Sequence, residues 1–367
     1  MAPNHSYTTK LKLNNRQKTL MARQAGFSRW VYNWGLAIWR DAYNQGLKPN
    51  TKTLKRLFTN HVKPDYPWMS TLSSKVYQYA FINLGEAYKR FFKGLSKYPK
   101  FKCKGRNDRF TLDNSGRPIR LGGLIQNLPF IKQVRTFEPI PDCLTKKVTI
   151  YKKAGDWYMS FSMEKTFETT PKERLRVGVD FGIKTLAVLS SGVKFEGLKP
   201  YRNAQRKLAR VQRKLAQKVK SSQNYSKALL QVQKLHCRVA NLRKDYLHKM
   251  TTYIAKNHSV VVIEDLNVSG MMANHKLAAS IGDLGLYEAR RQLQYKCERY
   301  GSKLVVADRF FPSSQLCSSC GKTQPMPLSQ RIYDCSCCGN KIDRDWNASL
   351  NLERYDEYGS TRKPVEG

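Results

Sequence analysis

The chain has 367 residues and carries 66 lysines and arginines against 27 acidic residues, which gives a formal net charge of +39. Because 41% of its residues are hydrophobic, this imbalance indicates a folded protein whose partner is a large polyanion. An anionic membrane is a weaker alternative partner than a nucleic acid, since no segment approaches the roughly 18–20 apolar residues of a span. An exported protein is not expected, because the N-terminus lacks the apolar core of a signal peptide.

The nine cysteines favour a reducing compartment and metal binding over disulfide bonds. Four of them are scattered along the chain, and each is expected to be a small buried residue. They are Cys103, Cys143, Cys237 and Cys297. The length of the chain predicts two or three domains.

The N-terminal half begins with a strand and continues as a helical region. Residues Tyr7–Leu13 alternate between polar and apolar side chains, which predicts a strand. Apolar residues, including Trp30 and Trp34, then recur at close to helical spacing, and they do so again from about Ser73 to Leu95. We therefore predict a helical domain of several short helices over 14–96, with both tryptophans in its core.

The pattern changes at Lys97, where strand-like runs follow a basic and aromatic stretch. In this stretch Lys100 and Lys102 are interleaved with aromatic residues, which is typical of nucleic-acid-binding surfaces, although a solvated loop is the alternative. The later runs predict an antiparallel β-barrel or sandwich that the N-terminal strand closes. They are Arg109–Leu112, Val148–Tyr151 and Trp157–Met163.

A polar linker, Thr166–Arg174, leads into an α/β pattern. Three short apolar runs predict strands, and two long helical stretches follow them before the most hydrophobic strand of the chain, Val260–Leu266. The three runs are Leu175–Asp180, Leu186–Leu189 and Val193–Phe195.

The first of the two long helices is strongly basic. Its apolar stripe is typical of a helix that packs on a core, whereas its other faces carry seven bases with no acid between them. That pattern favours contact with phosphates over a merely solvated face. The bases are Arg202, Arg206, Lys207, Arg210, Arg213, Lys214 and Lys218.

Three acidic residues occupy positions typical of a metal site. Asp180 and Glu264 each end a predicted apolar strand, and open α/β sheets bind ligands beyond the carboxyl ends of their strands. Asp345 begins a helix-forming segment. Carboxylate oxygens suit Mg²⁺, and a phosphodiesterase with two such ions about 3.5–4 Å apart needs several of them.

Each acid taken alone indicates little, because an Asp at the end of a strand is often a cap or a turn former. Asp265 and Asp343 are alternative ligands, since they lie close in sequence to Glu264 and Asp345. The triplet that begins at Asp180 resembles a kinase element, but no Gly-rich phosphate loop or His-Arg-Asp loop accompanies it, so a kinase is excluded.

Four other cysteines form two Cys-x-x-Cys pairs, Cys317 with Cys320 and Cys335 with Cys338. This is the spacing of a four-thiolate zinc ribbon. Cys337 adds a thiol inside the second pair. A structural zinc site just before an acidic residue is an arrangement that a metal-dependent nuclease could use to hold nucleic acid.

Four motifs, in this order, resemble the successive signatures of the TnpB family, which comprises transposon-encoded RNA-guided DNA nucleases related to the type V CRISPR effectors. The resemblance spans about 175–352, and the N-terminal half is similar in layout only. The motifs are Val179–Ala187, Ile263–Leu266, Ser313–Gly321 and Asp343–Ser349.

The resemblance implies an α/β, multi-domain protein. Its RNase H-like (RuvC) nuclease core would be split by an inserted zinc ribbon, and its N-terminal β-barrel wedge domain would carry an inserted helical recognition domain. The implied bounds are 171–310 with 341–367 for the nuclease core, 311–340 for the zinc ribbon, 1–13 with 97–170 for the wedge domain and 14–96 for the recognition domain.

The resemblance also implies roles for the candidate residues. Asp180, Glu264 and Asp345 would be the catalytic Mg²⁺ ligands, and Asp345 is preferred over Asp343 because the family's acid directly precedes an x-Asn-Ala element. The four paired cysteines would bind one structural Zn²⁺. They are Cys317, Cys320, Cys335 and Cys338.

The sequence therefore predicts an RNA-guided DNA endonuclease in a prokaryotic cytoplasm. A guide RNA from the transposon end would lie on the basic surface, and one protein chain with one RNA would cleave double-stranded DNA beside a short flanking motif. Two alternatives remain. One is a guide-RNA-bound repressor, which loss of an acid would mark, and the other is a structure-specific resolvase of the RuvC kind.

Overall fold

A computed structural model of the chain describes residues 4–167, 169, 171–327 and 329–356. The chain divides into two compact units after Thr166, within the predicted polar linker. The ends of the predicted wedge and nuclease domains, 1–3 and 357–367, lie outside the described residues.

The first unit consists of three α-helices and six strands. A π-helical turn and a 3₁₀ turn, Phe58–Val62 and Pro67–Thr71, connect the second helix to the third. In chain order the elements are β1 (Asn4–Lys12), α1 (Asn15–Asn44), α2 (Thr51–Leu57), α3 (Ser74–Phe92), β2 (Arg109–Asp113), β3 (Ile119–Leu128), β4 (Lys132–Thr145), β5 (Lys147–Lys153) and β6 (Asp156–Glu164).

The predicted series of short helices is wrong for the first part of this region, because α1 is one continuous helix of 30 residues. Its start is fixed by Asn14 and Gln17, whose side chains each accept a hydrogen bond from the other's backbone N–H. Gly35 lets α3 approach closely, since a Cβ there would lie 3.0 Å from Leu84 Cδ2. Trp30 packs against the unit's core, as predicted.

The six strands of the first unit form one sheet in the order β2-β5-β6-β1-β4-β3. The N-terminal strand lies inside the sheet, antiparallel to β6 on one side and to β4 on the other. The edge strands β2 and β3 follow one another in the chain, with an isolated bridge between Asn114 and Arg117 in the turn that joins them. That short turn brings the two edges together at one end of the sheet.

The second unit contains a mixed sheet, a small hairpin and six helices among the residues that the structure describes. In chain order the elements are β7 (Arg174–Asp180), β8 (Thr185–Leu189), β9 (Lys194–Glu196), α4 (Pro200–Ala216), α5 (Gln223–Asn257), β10 (His258–Glu264), α6 (Val268–Ala273), α7 (His275–Leu284), α8 (Leu286–Tyr300), β11 (Lys303–Ala307), β12 (Ile332–Asp334), β13 (Lys341–Asp343) and α9 (Arg344–Glu353).

The sheet of the second unit has the order β11-β10-β7-β8-β9, in which β10 is parallel to both of its neighbours and β8 is antiparallel to β7. Val261 and Ile263 pack towards α5 and α8, whereas Val262 packs with Leu352 of α9 on the other face. Both faces of β10 are therefore covered, as its apolar sequence predicts.

Two further findings concern the described residues as a whole. Of the four scattered cysteines, Cys297 is buried as predicted, but Cys103 is exposed, and Cys143 and Cys237 are half-buried. None of the helices within the described ranges combines the length and the apolar character that crossing a membrane requires.

Candidate metal centres and basic surface

Two carboxylates lie at the same edge of the second unit's sheet. Asp180 is the last residue of β7, and Glu264 is the last residue of the parallel strand β10. The paired residues Val179 and Ile263 immediately precede them, so the two acids end neighbouring strands in register. Adjacent strands are about 4.8 Å apart, a spacing at which two carboxylates can share a ligand. Both residues are half-buried.

Asp345 lies at the same edge, on a helix that packs against one face of the sheet. It lies in the first turn of α9, which packs directly over β7 at Gly178. A Cβ at this glycine would lie only 1.9 Å from the backbone oxygen of Ser349, so a side chain could not be accommodated without moving the helix. Gly178 thus sets the distance of α9, and with it Asp345, from the strand that carries Asp180.

The three acids, which we call the acidic cluster, interact electrostatically. Burial, and then the charges of Glu264 and Asp345, raise the pKa of Asp180 well above the ordinary carboxyl range. Burial also raises the pKa of Glu264, a hydrogen bond from Ser313 lowers it, and Asp345 raises it. A bound cation would stabilise the ionised form of carboxylates that lie this close together. This electrostatic arrangement is typical of a metal site.

The two alternative ligands have other partners. Asp265 forms ion pairs with Arg290 and with Arg309, whose Nη2 lies 2.6 Å from its carboxylate. Asp343 is the N-cap of α9, because its Oδ1 accepts a hydrogen bond from the backbone N–H of Trp346 at 3.0 Å. These two acids therefore have structural roles that require no metal. Asp345 also has a cationic neighbour, since Arg344 Nε lies 3.5 Å from its Oδ1.

The four paired cysteines converge on one point. The sulfurs of Cys317 and Cys338 are 3.7 Å apart, and those of Cys320 and Cys335 are 3.6 Å apart. A tetrahedral zinc site with Zn–S bonds of about 2.3 Å has sulfur–sulfur distances of about 3.8 Å, so this donor set fits Zn²⁺. The additional thiol, Cys337, is exposed and lies outside the group.

The backbone prepares the cysteine group for a metal. Each pair closes a turn in which the N–H of the following glycine, Gly321 or Gly339, bonds to the carbonyl of the first cysteine at 2.9 Å. Both glycines have positive φ, a backbone conformation that glycine adopts without strain because it has no Cβ. Backbone N–H groups of Cys338 and Cys337 lower the pKa of Cys335 to about 6, whereas burial and hydrogen bonds from the other thiols raise the pKa of Cys320 to about 12. Of these two, Cys335 therefore forms the metal-binding thiolate more readily.

The acidic cluster is wider than the cysteine group. Among the residues that the structure describes, the four cysteines are the one set of three or more potential ligands whose donor atoms all lie within 4.8 Å of one another. The donor atoms of the three acids are therefore more widely spaced than the four sulfurs. Hard carboxylate oxygens also suit Mg²⁺, as sulfur suits zinc.

The basic helix presents its charges to solvent. Leu208 is 3% exposed and anchors α4, while the bases on its other faces are all exposed. The structure pairs none of these bases with an acid in the ranges that it describes. We call Arg202, Arg206, Lys207, Arg210, Arg213 and Lys214 the basic face of α4.

The two lysine candidates of the first unit differ in their surroundings. Lys100 is exposed. Lys102 is half-buried, with its Nζ 3.5 Å from the centre of the Tyr32 ring and its backbone held by Asn33 at 2.8 and 2.9 Å. Burial lowers the pKa of Lys102 to about 8. A structural role thus accounts for Lys102. Lys100 makes no hydrogen bond or ion pair with the part of the chain that the structure describes, and it remains a candidate for phosphate contact.

Two residues of the acidic site carried no role in the sequence prediction. Gly178 had a signal, because a glycine inside an apolar strand often marks a close backbone approach. Ser313, whose hydroxyl donates a hydrogen bond to Glu264 Oε1, had none, since 49 residues separate the two in the chain.

Three family models match the chain. One described as a probable transposase, of the OrfB_IS605 family, matches residues 158–275, and one described as a Cas12f1-like TNB domain matches 287–352. A third, described as a helix-turn-helix domain, matches 1–48. The structure has a strand and a single long helix between Asn4 and Asn44, so the third description does not correspond to the observed elements.

Two curated relatives cover most of the chain, and both are named "Putative RNA-guided DNA endonuclease". The protein from Streptomyces pristinaespiralis is 34% identical over 92% of this chain and 86% of its own length. InsQ from Escherichia coli (strain K12) is 34% identical over 95% of this chain and 91% of its own length.

One solved structure with a similar fold is that of CasPhi-2 (Cas12j) bound to crRNA. It has a TM-score of 0.50 and covers 100% of this chain and 99% of that one. The sequence identity is 10%, so this likeness concerns the fold alone.

Proposed function

This chain belongs to the TnpB family of the OrfB type, and we propose that it is an RNA-guided DNA endonuclease that hydrolyses phosphodiester bonds with two Mg²⁺ ions. The observation that carries the proposal is the convergence of Asp180, Glu264 and Asp345 at one sheet edge. Unlike a guide-RNA-bound repressor that has lost an acid, this chain retains all three.

In this proposal the acidic cluster holds the ions and fixes their separation. Asp180 and Glu264 bind from the ends of β7 and β10, while Asp345 binds from α9. When bound, two such ions supply an activated water and stabilise the departing oxygen of the phosphodiester. Because the carboxylates stand on a sheet and a helix, their geometry is set before DNA arrives, which lowers the reorganisation required for cleavage.

The basic face of α4 is proposed to bind the phosphate backbone of the guide RNA or of its duplex with the target. Its cations are exposed, and no acid in the described residues neutralises them, so they are available to replace the counterions of a nucleic acid. Phosphate contacts position a nucleic acid without reading its sequence. The sequence information would then come from base pairing between guide and target.

The remaining domain roles follow the same proposal. The first unit would contain the wedge domain and the helical recognition domain, which read a short motif beside the target in duplex DNA. The residues of the cysteine group would hold one structural Zn²⁺ in the region that binds target DNA. The working assembly would be one protein chain with one guide RNA derived from the transposon end.

The RNA that copurifies with the protein tests this proposal. We expect one dominant, structured RNA whose 5′ part matches the transposon end and whose 3′ part matches flanking DNA. The complex should cleave matching DNA in Mg²⁺ but not in Ca²⁺, which shares the oxygen ligands of Mg²⁺ but has a different preferred geometry. Cleavage of branched DNA by the RNA-free protein would instead favour the resolvase.

A further inference from the structure

The chain segment that enters the first cysteine pair also contacts the acidic cluster. Ser313 lies four residues before Cys317, and its hydroxyl donates a hydrogen bond to Oε1 of Glu264. The serine is 4% exposed, so water does not compete for this contact. The bond leaves Oε2 of Glu264 available for a metal and restricts the rotation of the carboxylate.

Two buried amides bind the same segment to α9. Asn347 Nδ2 donates to the carbonyl of Leu316 at 2.7 Å, and its Oδ1 accepts from the N–H of Ser318 at 3.0 Å. Asn351 Nδ2 donates to the carbonyls of Ser313 and Leu316, at 2.8 and 2.6 Å. Both asparagines are 0% exposed.

These contacts place one short segment between two of the three acids. On one side Ser313 holds Glu264, and on the other the two amides hold α9, whose first turn carries Asp345. Arg354, which follows α9, adds a hydrogen bond from its Nη1 to the carbonyl of Ser318 at 2.7 Å. The turn that continues from this segment contains Cys317 and Cys320.

Burying the amide of Asn351 costs free energy of folding. Its Oδ1 is buried and has no hydrogen-bond partner among the described residues, and a buried polar atom without a partner destabilises a protein. An apolar residue would avoid that cost but would remove the donor to the carbonyl of Ser313 and one of the two amide donors to the carbonyl of Leu316, which Asn347 also bonds. Asn351 therefore attaches the segment to α9 through hydrogen bonds, which an apolar side chain at this position could not do.

We propose that Ser313, Asn347 and Asn351 are positioning residues that couple the cysteine group to the acidic cluster, so that an ordered first cysteine pair is required for Glu264 and Asp345 to bind metal together. The inference rests on the proposed function in that it takes the acidic cluster as the catalytic metal site. It assigns the cysteine group a second role besides holding DNA, since its order reaches the acids through hydrogen bonds.

The test compares three serine variants of the full-length protein. Ser313→Ala removes the hydroxyl, Ser313→Thr retains it, and Ser314→Ala is the matched control, because the structure gives the neighbouring hydroxyl no hydrogen bond within the described residues. Mn²⁺ binding to protein stripped of RNA in high salt is measured by the electron paramagnetic resonance of the free ion. The Mg²⁺ concentration that gives half-maximal single-turnover cleavage is measured on the RNA complex.

We expect Ser313→Ala to weaken Mn²⁺ binding and to raise the half-maximal Mg²⁺ concentration by about 10–100-fold, which is typical for the loss of a hydrogen bond to a metal ligand. Ser313→Thr should restore most of the Mn²⁺ affinity and most of the Mg²⁺ dependence of the unaltered protein. Ser314→Ala should change neither quantity. A merely structural serine would lower the amount of folded protein without moving the metal dependence. Unchanged Mn²⁺ binding in Ser313→Ala, or a loss that Ser313→Thr does not restore, would overturn the role of Ser313.

A second variant tests the coupling itself. Cys320→Ser should reduce the bound zinc, measured by elemental analysis, and should weaken Mn²⁺ binding in the same preparation. If zinc is lost while Mn²⁺ binding matches that of the unaltered protein, the coupling is wrong. Because Mn²⁺ binding needs neither RNA nor DNA, these results stand even if the unaltered protein fails to cleave DNA, an outcome that would contradict the proposed function alone.

Discussion

The acidic cluster and the basic face of α4 are two concentrations of like charge in the same unit, and they differ in geometry. The acids come from β7, β10 and α9 and converge at one edge of a sheet, partly buried. The cations are spread along one helix and are exposed to solvent. Converging charge suits a compact cation and chemistry at one bond, whereas extended charge suits a polyanion and gives affinity without sequence preference.

The largest effect should come from the acidic cluster. Replacing Asp180, Glu264 or Asp345 singly with Ala should lower the single-turnover cleavage rate on the order of 10³-fold or more, because a lost metal ligand removes several kcal/mol of transition-state stabilisation. RNA and target binding, measured by gel shift, should stay near normal. A variant that loses binding together with cleavage would contradict the separation between the two regions.

Substitutions on the basic face of α4 should affect nucleic-acid binding, which substitutions in the acidic cluster leave near normal. Reversing Arg206, Arg210 and Arg213 together to Glu should weaken RNA binding whatever the guide sequence. Since log K falls with log salt at a slope of about −0.7 to −0.9 per neutralised phosphate, losing three contacts should reduce that slope by about 2–3. Filter binding over a salt series measures both quantities.

A charge-matched control for this prediction is available in the first unit. Lys146, Lys152 and Lys153 are exposed, and reversing all three to Glu changes the net charge by the same amount. We expect this variant to change the salt slope less than the triple variant of the basic face does. An equal change in the two triple variants would mean that net charge, and not the basic face of α4, determines the affinity.

A smaller effect concerns stability. The pKa of Asp180 is raised in the folded state, so its contribution to stability is present below the unfolded carboxyl pKa of about 4 and is lost as the pH rises through the folded value. In Mg²⁺-free buffer at neutral pH, Asp180→Asn should therefore raise the free energy of unfolding.

Thermal or urea unfolding of RNA-free protein measures this difference. The gain should shrink as the pH is lowered, because the carboxyl of the unaltered protein then takes up a proton. Chelators are omitted so that the cysteine group keeps its zinc. An unaltered or lower stability of Asp180→Asn at neutral pH would show that the carboxylates do not repel one another as the geometry indicates.

The smallest effect is expected at the neighbouring acid. Asp343→Ala removes the N-cap of α9 and should cost about 1 kcal/mol of stability, while cleavage in saturating Mg²⁺ remains close to that of the unaltered protein. Unfolding and cleavage are measured on the same preparation, with Asp345→Ala as the comparison. If Asp343→Ala abolishes cleavage and Asp345→Ala does not, the third acid has been assigned to the wrong residue.

The sequence predicted best where one local rule dominates. β7 and β10 were visible as apolar runs that end in an acid, and the two cysteine pairs were visible from their spacing, because each signal lies within a few residues. The strands β3 and β4 were missed. Gly122 and Gly123 interrupt the alternation in β3 at two register shifts, and β4 contains two prolines.

What the sequence could not predict depends on contacts between distant residues. The bonds of Ser313 to Glu264 and of Asn351 to Ser313 join positions 49 and 38 residues apart, and no periodicity signals such pairs. The helical spacing of apolar residues around Trp30 and Trp34 predicted the middle of α1, but it did not predict that the helix runs for 30 residues.

The most direct test of the central claim is an exchange of guides. The protein is loaded with either of two RNAs that differ only in the guide portion, and each complex is offered both matching DNA targets beside the same flanking motif. We predict that cleavage follows the guide, so that each complex cuts its own target and spares the other. Cleavage of the same DNA with either RNA, or with the RNA removed, would contradict the account.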